Sequence, residues 1–353
     1  MSYLFVGLLI ALLGTLLAVP LLPAMNELRN KQDAEPLNVI QQHAGDIRHF
    51  AQSFASLIKE LEPVLDRSRQ CGDVARGLLP DGSRYFVLRS SDGLPIQEQA
   101  GSSVCSYVIA FSVDVSCPGN TTFTRELYAH EYFQGGDESQ YRAILGAASI
   151  KLGKNSTVLR WVHAGRELRA DEGCNLYGRA SAQERIELRR GCRFLRVNAP
   201  RIDTGPHNGN HPTIRLTSRS SSPLQLRRVL HDGDVTVEAG QVFYGNLVAR
   251  GKLHLRAGGH VIGSIKSNKD LVIENEAIVE GSVICSERII IGSQCSLHGP
   301  IIAERSMVLY DGTVCGSPQK PTTVSSPEIQ VQEGVVVYGT LWARQSGSVW
   351  GRG

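Results

Sequence analysis

The sequence has few of the features that mark nucleic-acid binding, zinc binding or catalysis. Its 353 residues include 37 Lys and Arg against 34 Asp and Glu, a formal net charge of +3, with basic residues scattered among acidic ones. This distribution leaves no basic patch for a nucleic-acid backbone. The chain has eight cysteines but no CxxC pair and no Cys/His cluster, which excludes a zinc framework. The sequence therefore predicts no catalytic residue, no cofactor and no metal ligand, and its aromatic content of only 6% fits a core of Val, Ile and Leu.

The start of the chain, from Met1 to Met25, also lacks any charged side chain. The apolar run 3–23 has about the 20 residues needed to cross a bilayer, so a transmembrane helix is predicted over residues 1–25. No Lys or Arg precedes Arg29, which argues against a cleaved signal peptide and, by the positive-inside rule, places the C-terminal side in the cytoplasm. The predicted membrane-anchor residues are Leu4, Phe5, Leu8, Leu12 and Leu16.

What the sequence does have is a repeat. Glycines recur at a nearly constant interval, at Gly245, Gly263, Gly281, Gly299 and Gly316, with an apolar strand-like group between them. An interval of about 18 residues makes three six-residue sides, one coil of a triangular β-helix whose coils stack about 4.8 Å apart. Glycine is expected at the corner, where φ is positive or a Cβ would clash with the next coil. About six coils are predicted in a main domain over 224–345, followed by a tail over 346–353.

A weaker copy of the same period lies upstream. Ile150, Leu168 and Ile186 are separated by the same interval as the repeat glycines, which predicts a short β-helical run over 145–199. A linker rich in Pro, Gly, Asn and Ser follows over 200–223. Whether the two runs share one axis stays open at this stage.

The region between the apolar segment and the first run divides in two. Residues 26–70 form an amphipathic or coiled-coil-like stalk helix, with apolar residues at heptad spacing. Two interpretations remain open, a stalk that dimerises and a helix that packs on its own chain. Residues 71–144 are predicted to be a small β-rich region.

Two groups of polar residues have a chemical interpretation and a structural one. Cys174 and Cys192 are one period of the repeat apart and stack in successive coils, either as a disulfide in an oxidising compartment or as two buried thiols. A titratable cluster also occurs within residues 125–142, but its spacing matches no metal or catalytic motif. Its members are His130, Glu131, Asp137 and Glu138.

Residues 230 to 345 resemble the bactofilins, polymer-forming bacterial cytoskeletal proteins. The resemblance is carried by GNLVARGKLHLRAGGHVIGSI, LVIENEAIVEGSVICSERIIIGSQCSLHGPI and VLYDGTVCGS. It implies a right-handed parallel β-helix that polymerises end to end without nucleotide at the inner face of the bacterial inner membrane. The chain is thus predicted to be mainly β, a membrane-anchored, self-associating scaffold in cell shape or envelope organisation. The expected partners are the chain itself, the lipid bilayer and cell-envelope or peptidoglycan-related proteins, and the candidate self-association residues are Val337, Trp342 and Trp350.

The chain differs from typical bactofilins, and the differences leave alternative functions open. Its members are short, with one β-helix between disordered tails, so the added segments here could cap one end and stop polymerisation. A hexapeptide-repeat acyltransferase also builds a triangular β-helix from coils of the same length, although the hexads here are not in tandem and His254, His260 and His298 occupy different phases of the repeat. An extracytoplasmic surface scaffold is the third alternative, if the membrane orientation is reversed.

Overall fold

A computed structural model describes residues 46–99, 102–206 and 228–351, together with Gly7, Leu12, Leu13, Thr15 and Val19. The chain divides into two compact units, Met1–Asn38 and Val39–Gly353, and the second contains all the architecture that follows. Most of the predicted transmembrane helix, residues 26–45 of the predicted stalk helix and most of the predicted linker lie outside the described residues. Among the residues that are described, no helix is long and apolar enough to cross a membrane.

A helical segment opens the described part of the second unit. It consists of α1 (His49–Ile58), a 3₁₀ helix (Lys59–Leu61) and α2 (Glu62–Cys71). It ends at Gly72, which takes the left-handed φ of 80° and donates its N–H to the Ser68 carbonyl, as helix C-termini commonly do. A further 3₁₀ helix, Ser91–Gly93, lies in a loop.

The apolar face of this helical segment is buried against the chain's own sheet. Its buried residues pack with Val108, Tyr128, Leu145 and Trp161, and the Phe54 ring centroid lies 5.8 Å from that of Trp161. Of the two interpretations of the stalk, the structure shows the helix packed on its own chain. The helical residues that form this face are Ala51, Phe54, Ile58, Leu61 and Leu65.

Within the described residues, thirty-two strands, numbered in chain order, form a parallel β-solenoid of about 13 turns with 18-residue spacing. Two runs of strands make it up. The first run, β1 to β15, comprises Ala75–Leu78, Arg84–Leu88, Ile96–Gln99, Ser102–Cys105, Val108–Phe111, Val115–Ser116, Thr121–Ala129, Phe133–Gln134, Gln140–Gly146, Ile150–Leu152, Thr157–Ala164, Glu167–Ala170, Asn175–Ala182, Arg185–Leu188 and Arg193–Thr204. The second run, β16 to β32, comprises Arg228–His231, Val235–Val237, Val242–Tyr244, Asn246–Ala249, Leu253–Leu255, His260–Ile262, Ile265–Ser267, Leu271–Ile273, Ile278–Val279, Val283–Cys285, Arg288–Ile291, Ser296–Leu297, Ile301–Ala303, Ser306–Leu309, Val314–Cys315, Thr322–Gln332 and Val336–Trp350.

The first run begins earlier than the period of the repeat indicates. Ile150, Leu168 and Ile186 stack in register as expected. Upstream of them, Ile109 pairs with Leu127 and Leu127 with Ile144, also in parallel. The β-rich region of 71–144 therefore contributes further coils to the same stack, and at the other end β15 extends to Thr204, inside the stretch predicted as linker.

The second run keeps its register over most of its length. Leu253, Leu271, Ile289 and Met307 form one column of parallel partners. All four side chains are essentially inaccessible to solvent. Burying an aliphatic side chain of this size contributes about 1.5–3 kcal/mol, so such columns are the main source of stability in the core.

The repeat glycines stand at corners for two physical reasons. Positive φ occurs at Gly245, Gly263 and Gly316, at 131°, 151° and 75°, a region that favours glycine. Gly281 is not in that region. A Cβ there would lie 2.6 Å from the carbonyl carbon of Gly263 in the preceding coil, so close approach of the backbones requires the glycine.

The two runs meet at their C-terminal ends. Strand β15, the last of the first run, pairs with β32, the last of the second, and this pairing is antiparallel. The coils next to the junction pair in parallel within each run, so the chain direction reverses across the contact. The two solenoids are stacked tail to tail.

Candidate assembly surfaces

The tail-to-tail junction closes one end of each run on all three sides of the coil. On one side Phe194 pairs with Gly347, and on the next Val197 pairs with Leu341. On the third, Ile202 pairs with Val337. Because strands are paired around the whole perimeter, neither run offers a free sheet edge at this end.

Hydrogen bonds and side-chain packing also join the two runs at the junction. The Thr204 hydroxyl donates to the Gln332 carbonyl at 2.7 Å, and the Thr204 N–H donates to the Val335 carbonyl at 3.0 Å. The Asn198 amide donates to the Thr340 hydroxyl at 2.9 Å. Gly347 is required here, since a Cβ would overlap the Phe194 ring. Hydrogen bonds and packing of this kind are those of a protein interior, and the contact is continuous with the core.

The three residues that the sequence offered for self-association all lie in this last coil. Val337 is fully buried opposite Ile202, and Trp342 lies under the Arg196 guanidinium. Trp350 packs edge-on against Tyr310, with 5.6 Å between ring centroids. The structure thus places Val337, Trp342 and Trp350 in contacts within one chain, and an intermolecular role for Val337 would require the junction to open.

Short strands of its own lie along two of the three sides at the other end of the first run. Strand β1 runs antiparallel along β2, the first strand of the stack on that side. The hairpin of β3 and β4 places β3 outside β4 in the same way. Both covering strands have only four residues, and short antiparallel edge strands are a common way to prevent further pairing.

The N-terminal end of the second run differs from these. Strands β16, β17 and β18 each pair in parallel with the next coil, and no other described strand is paired with them. Apolar side chains are exposed along this coil, with Leu230 at 38%, Val242 at 45% and Tyr244 at 60% of their surface. Val229, Val235 and Phe243 are partly buried beside them. An open sheet edge lined with apolar residues is a template for pairing with another chain.

The histidines of the repeat are paired with carboxylates across coils. The His254 Nε2 lies 2.6 Å from a Glu274 oxygen. His260 and His298 share Glu280, at 3.2 and 3.8 Å. These contacts tie successive coils together, and within the described residues no group of three or more His, Cys, Asp or Glu side chains is arranged to hold a metal ion.

The titratable cluster of residues 125–142 is also engaged in structural contacts. His130 contacts Arg69 of α2 at 2.5 Å and Tyr128 at 3.0 Å. A carboxylate oxygen of Asp137 accepts the Lys154 N–H at 2.7 Å. These residues join the helix to the sheet and one coil to the next.

The eight cysteines carry free thiols, and seven of them are buried. A hydrogen bond to Cys192 and burial together raise the pKa of Cys174. Burial raises the pKa of Cys285 to about 11. A buried thiol of high pKa is a poor nucleophile. The stacked pair Cys174 and Cys192 is therefore present as two buried thiols.

A groove of about 370 Å³ runs between α1 and the sheet. His163 lies at its floor, largely buried, and its Nδ1 is 2.8 Å from the Ser181 hydroxyl. Burial lowers the pKa of His163, and Arg48 lowers it further. The pair is one rung of a polar ladder on this face, since residues 163 and 181 occupy the same position in successive coils.

Comparison with known proteins finds a family match within the second run. Residues 235–342 match the bactofilin family, described as polymer-forming cytoskeletal. The resemblance seen in the repeat is confirmed for this segment. No curated protein and no solved structure matches the chain. The matched segment extends from β17 to the middle of β32. It includes strands of both ends of the second run, while the first run and the helix lie outside it.

Proposed function

We propose that this protein is a membrane-anchored bactofilin scaffold that self-associates to organise cell shape or the cell envelope. The observation that carries the proposal is the match of residues 235–342 to a polymer-forming cytoskeletal family. The open apolar coil of the same domain supports it, because self-association needs such a surface. The family's role is structural rather than catalytic, and the function proposed here is assembly, without an enzymatic reaction.

The proposed location is the cytoplasmic face of the bacterial inner membrane. Its support is the uncharged segment at the start of the chain, which has the length of a bilayer span, followed by Arg29 and Lys31. The partners proposed beside a second copy are the lipid bilayer and cell-envelope or peptidoglycan-related proteins. Anchoring would hold the solenoid near the machinery it positions.

Cys71 provides a direct test of this location, because it is the exposed cysteine of the chain and the other seven are buried. A membrane-impermeant maleimide is added to intact spheroplasts and, separately, to permeabilised ones. We expect labelling only after permeabilisation, with the protein in the carbonate-resistant membrane fraction. A Cys71→Ser variant, which removes the reactive thiol, is the control.

Labelling in intact spheroplasts would contradict the cytoplasmic location and favour an extracytoplasmic scaffold. Recovery of the protein in the carbonate-soluble fraction would contradict membrane anchoring. Labelling tests the cytoplasmic location and fractionation tests membrane anchoring, so one can be contradicted without the other.

A further inference from the structure

One corner of the first run presents large apolar side chains to solvent. Leu159 and Tyr177 lie where β11 and β13 pass from one side of the coil to the next, at the same position in successive coils. Their side chains are 44% and 49% exposed. Phe50 of α1 is 50% exposed and lies beside this corner, because its ring centre is 5.0 Å from the guanidinium carbon of Arg179.

Four arginines surround these apolar side chains. Arg160 and Arg193 are exposed next to the corner, and Arg179 and Arg196 are parallel partners in adjacent coils. Among the described residues, none of the four forms an ion pair with a carboxylate. The four arginines and the three apolar residues are together called the corner surface.

The positive charge of the corner surface is not balanced from within. Burial lowers the pKa of Arg196, and the neighbouring charge of Arg179 lowers it further, with Asp46 acting in the opposite direction. The Arg196 Nε is buried and has no hydrogen-bond partner in the part of the chain that the structure describes, and its guanidinium stacks on Trp342, an uncharged ring. The Asp46 carboxylate is paired with Arg48, at 3.6 Å. An excess of positive charge is therefore left for an external anion.

The same corner of the second run shows a different arrangement of charge. Arg344 there pairs with Glu304 at 3.2 Å, and Arg305 pairs with Glu287 at 2.6 Å. Each of these arginines finds its carboxylate in another coil of the same run. A corner of this solenoid can thus balance its own charge, and the corner surface of the first run does not.

We infer that the corner surface docks on the anionic leaflet of a lipid bilayer, as a membrane contact separate from the predicted span. The inference rests on the proposed function, from which it takes the membrane anchor, and adds the face of the solenoid that lies against the headgroups. Guanidinium groups bind phosphate oxygens through paired hydrogen bonds. Aromatic and aliphatic side chains beside them enter the boundary between headgroups and acyl chains. A soluble anion would use the arginines and leave the apolar side chains in water, so the combination favours lipid.

The path of the chain supports a lipid surface as the occupant. Asp46 is the first residue of the second unit that the structure describes, and its carbonyl accepts a hydrogen bond from Arg179 at 3.2 Å. The chain that follows the predicted membrane segment therefore enters the described structure at the corner surface. A tether that ends there raises the effective concentration of the bilayer at this surface.

A fluorophore at the corner surface tests the contact in the full chain. Cys71→Ser removes the exposed thiol, and Tyr177→Cys then accepts an environment-sensitive dye. The protein is reconstituted in vesicles of phosphatidylcholine alone or with about 30% phosphatidylglycerol. We expect a shift of emission to shorter wavelength and weaker acrylamide quenching in the anionic vesicles only, both reversed at about 0.5 M salt. The matched control, Tyr132→Cys, is at a 38% exposed position between β7 and β8 and should show neither change.

Charge variants locate the contact at the arginines. Arg160→Gln with Arg193→Gln removes two positive charges from exposed positions of the corner surface. The matched control, Arg67→Gln with Arg256→Gln, removes the same charge from exposed positions on α2 and in the second run. A basic residue near an anionic leaflet strengthens binding about fivefold, so we expect the ratio of docked to undocked protein to fall about 25-fold in the first variant. The control should keep the wild-type ratio.

Three results would overturn the inference while the protein stays in the carbonate-resistant fraction and anchoring stands. They are unchanged emission from dye at Tyr177→Cys in anionic vesicles, an equal shift at Tyr132→Cys, and equal responses of the two charge variants. The same dye response to inorganic phosphate, added to phosphatidylcholine vesicles, would show that the surface binds a soluble anion and would also overturn it. Recovery in the carbonate-soluble fraction would contradict the proposed anchoring and the inference together.

Discussion

The guanidinium carbon of Arg196 lies 5.0 Å from the centre of the Trp342 ring, although the two residues belong to different solenoid runs. A cation held over an indole face contributes about 0.5–2 kcal/mol, and this one sits beside paired strands at the seam between the runs. The run that contains the segment similar to the bactofilins is in this way joined at its C-terminal end to a second solenoid of the same chain, in a contact with the packing of a core.

Because the junction is a core contact, its residues should behave as core residues. Leu341 is fully buried opposite Val197, and Leu341→Ala is expected to lower the free energy of unfolding by about 2–5 kcal/mol through lost burial and a cavity. Leu159→Ala, at an exposed position of the first run, is the control and should change it by about 0.5 kcal/mol or less. The measurement is urea denaturation followed by circular dichroism. Equal, small effects of the two substitutions would show that the junction is not packed in solution.

The close approach of successive coils at the corner glycines predicts how substitutions there change stability. Gly281→Ala would put a methyl group 2.6 Å from the Gly263 carbonyl carbon, so we expect a loss of about 1–3 kcal/mol from forced displacement of the coil. Gly233 is in the same run, and a Cβ there would meet nothing closer than the His231 ring at 3.6 Å. Gly233→Ala should leave stability unchanged or raise it by about 0.4–1 kcal/mol. In thermal melts, we expect Gly281→Ala to have a lower melting temperature than the wild type and Gly233→Ala to have an unchanged or higher one.

Docking of the helical segment predicts a specific change in proteolysis. Ile58 is buried against the sheet, and Ile58→Asp places a carboxylate in that apolar contact, at a cost that favours release of α1 and α2. Trypsin is then expected to cut early at Lys59, Arg67 or Arg69, while the solenoid stays intact. Ser56→Asp, at an exposed position of the same helix, should be cut at the wild-type rate. Equal cutting of the two variants would contradict the docked helix.

The buried His163 predicts a dependence of stability on pH. Its pKa is lowered from 6.5 by burial and by Arg48, with Asp46 acting in the opposite direction. The unfolded chain therefore binds this proton more readily than the folded one, so stability is full above about pH 6.5 and falls as the pH drops below it. His163→Asn has no titrating ring and should give a flatter profile over this window. Urea midpoints from pH 7.5 down to pH 5 are the measurement, and an identical slope in both proteins would contradict the assignment.

The sequence predicts a repeat where the spacing is unbroken and misses it where it is not. Leu253, Leu271, Ile289 and Met307 recur at one constant interval, and the coils they belong to were predicted from that spacing alone. In the first run the column from Ile109 passes through Leu127 to Ile144, and its second step is shorter than its first. The one-residue offset arises where the register shifts between Phe123 and Glu126, and it leaves the parallel stack intact. It nevertheless shifts the phase that a fixed period detects.

The period of the repeat does not predict the junction. Val197 and Leu341 face each other in antiparallel register, and no repeat relates their positions in the chain. Their burial reflects the shape of two coil ends, each with three sides, that match in space. Sequence reasoning offered Val337, Trp342 and Trp350 for self-association, but it contained nothing that would name β15 as the partner of their strand.

The tail-to-tail contact also sets an order of events during translation. Asn198 and Thr340 are 142 residues apart, so at about 5–20 residues per second the ribosome needs roughly 7 to 30 s to make the second after the first. During that interval the last coil of the first run is an unpaired edge, open to wrong partners. The strand that protects it is synthesised only after this interval, so a nascent chain released before residue 336 would carry the hazard permanently and be a substrate for quality control.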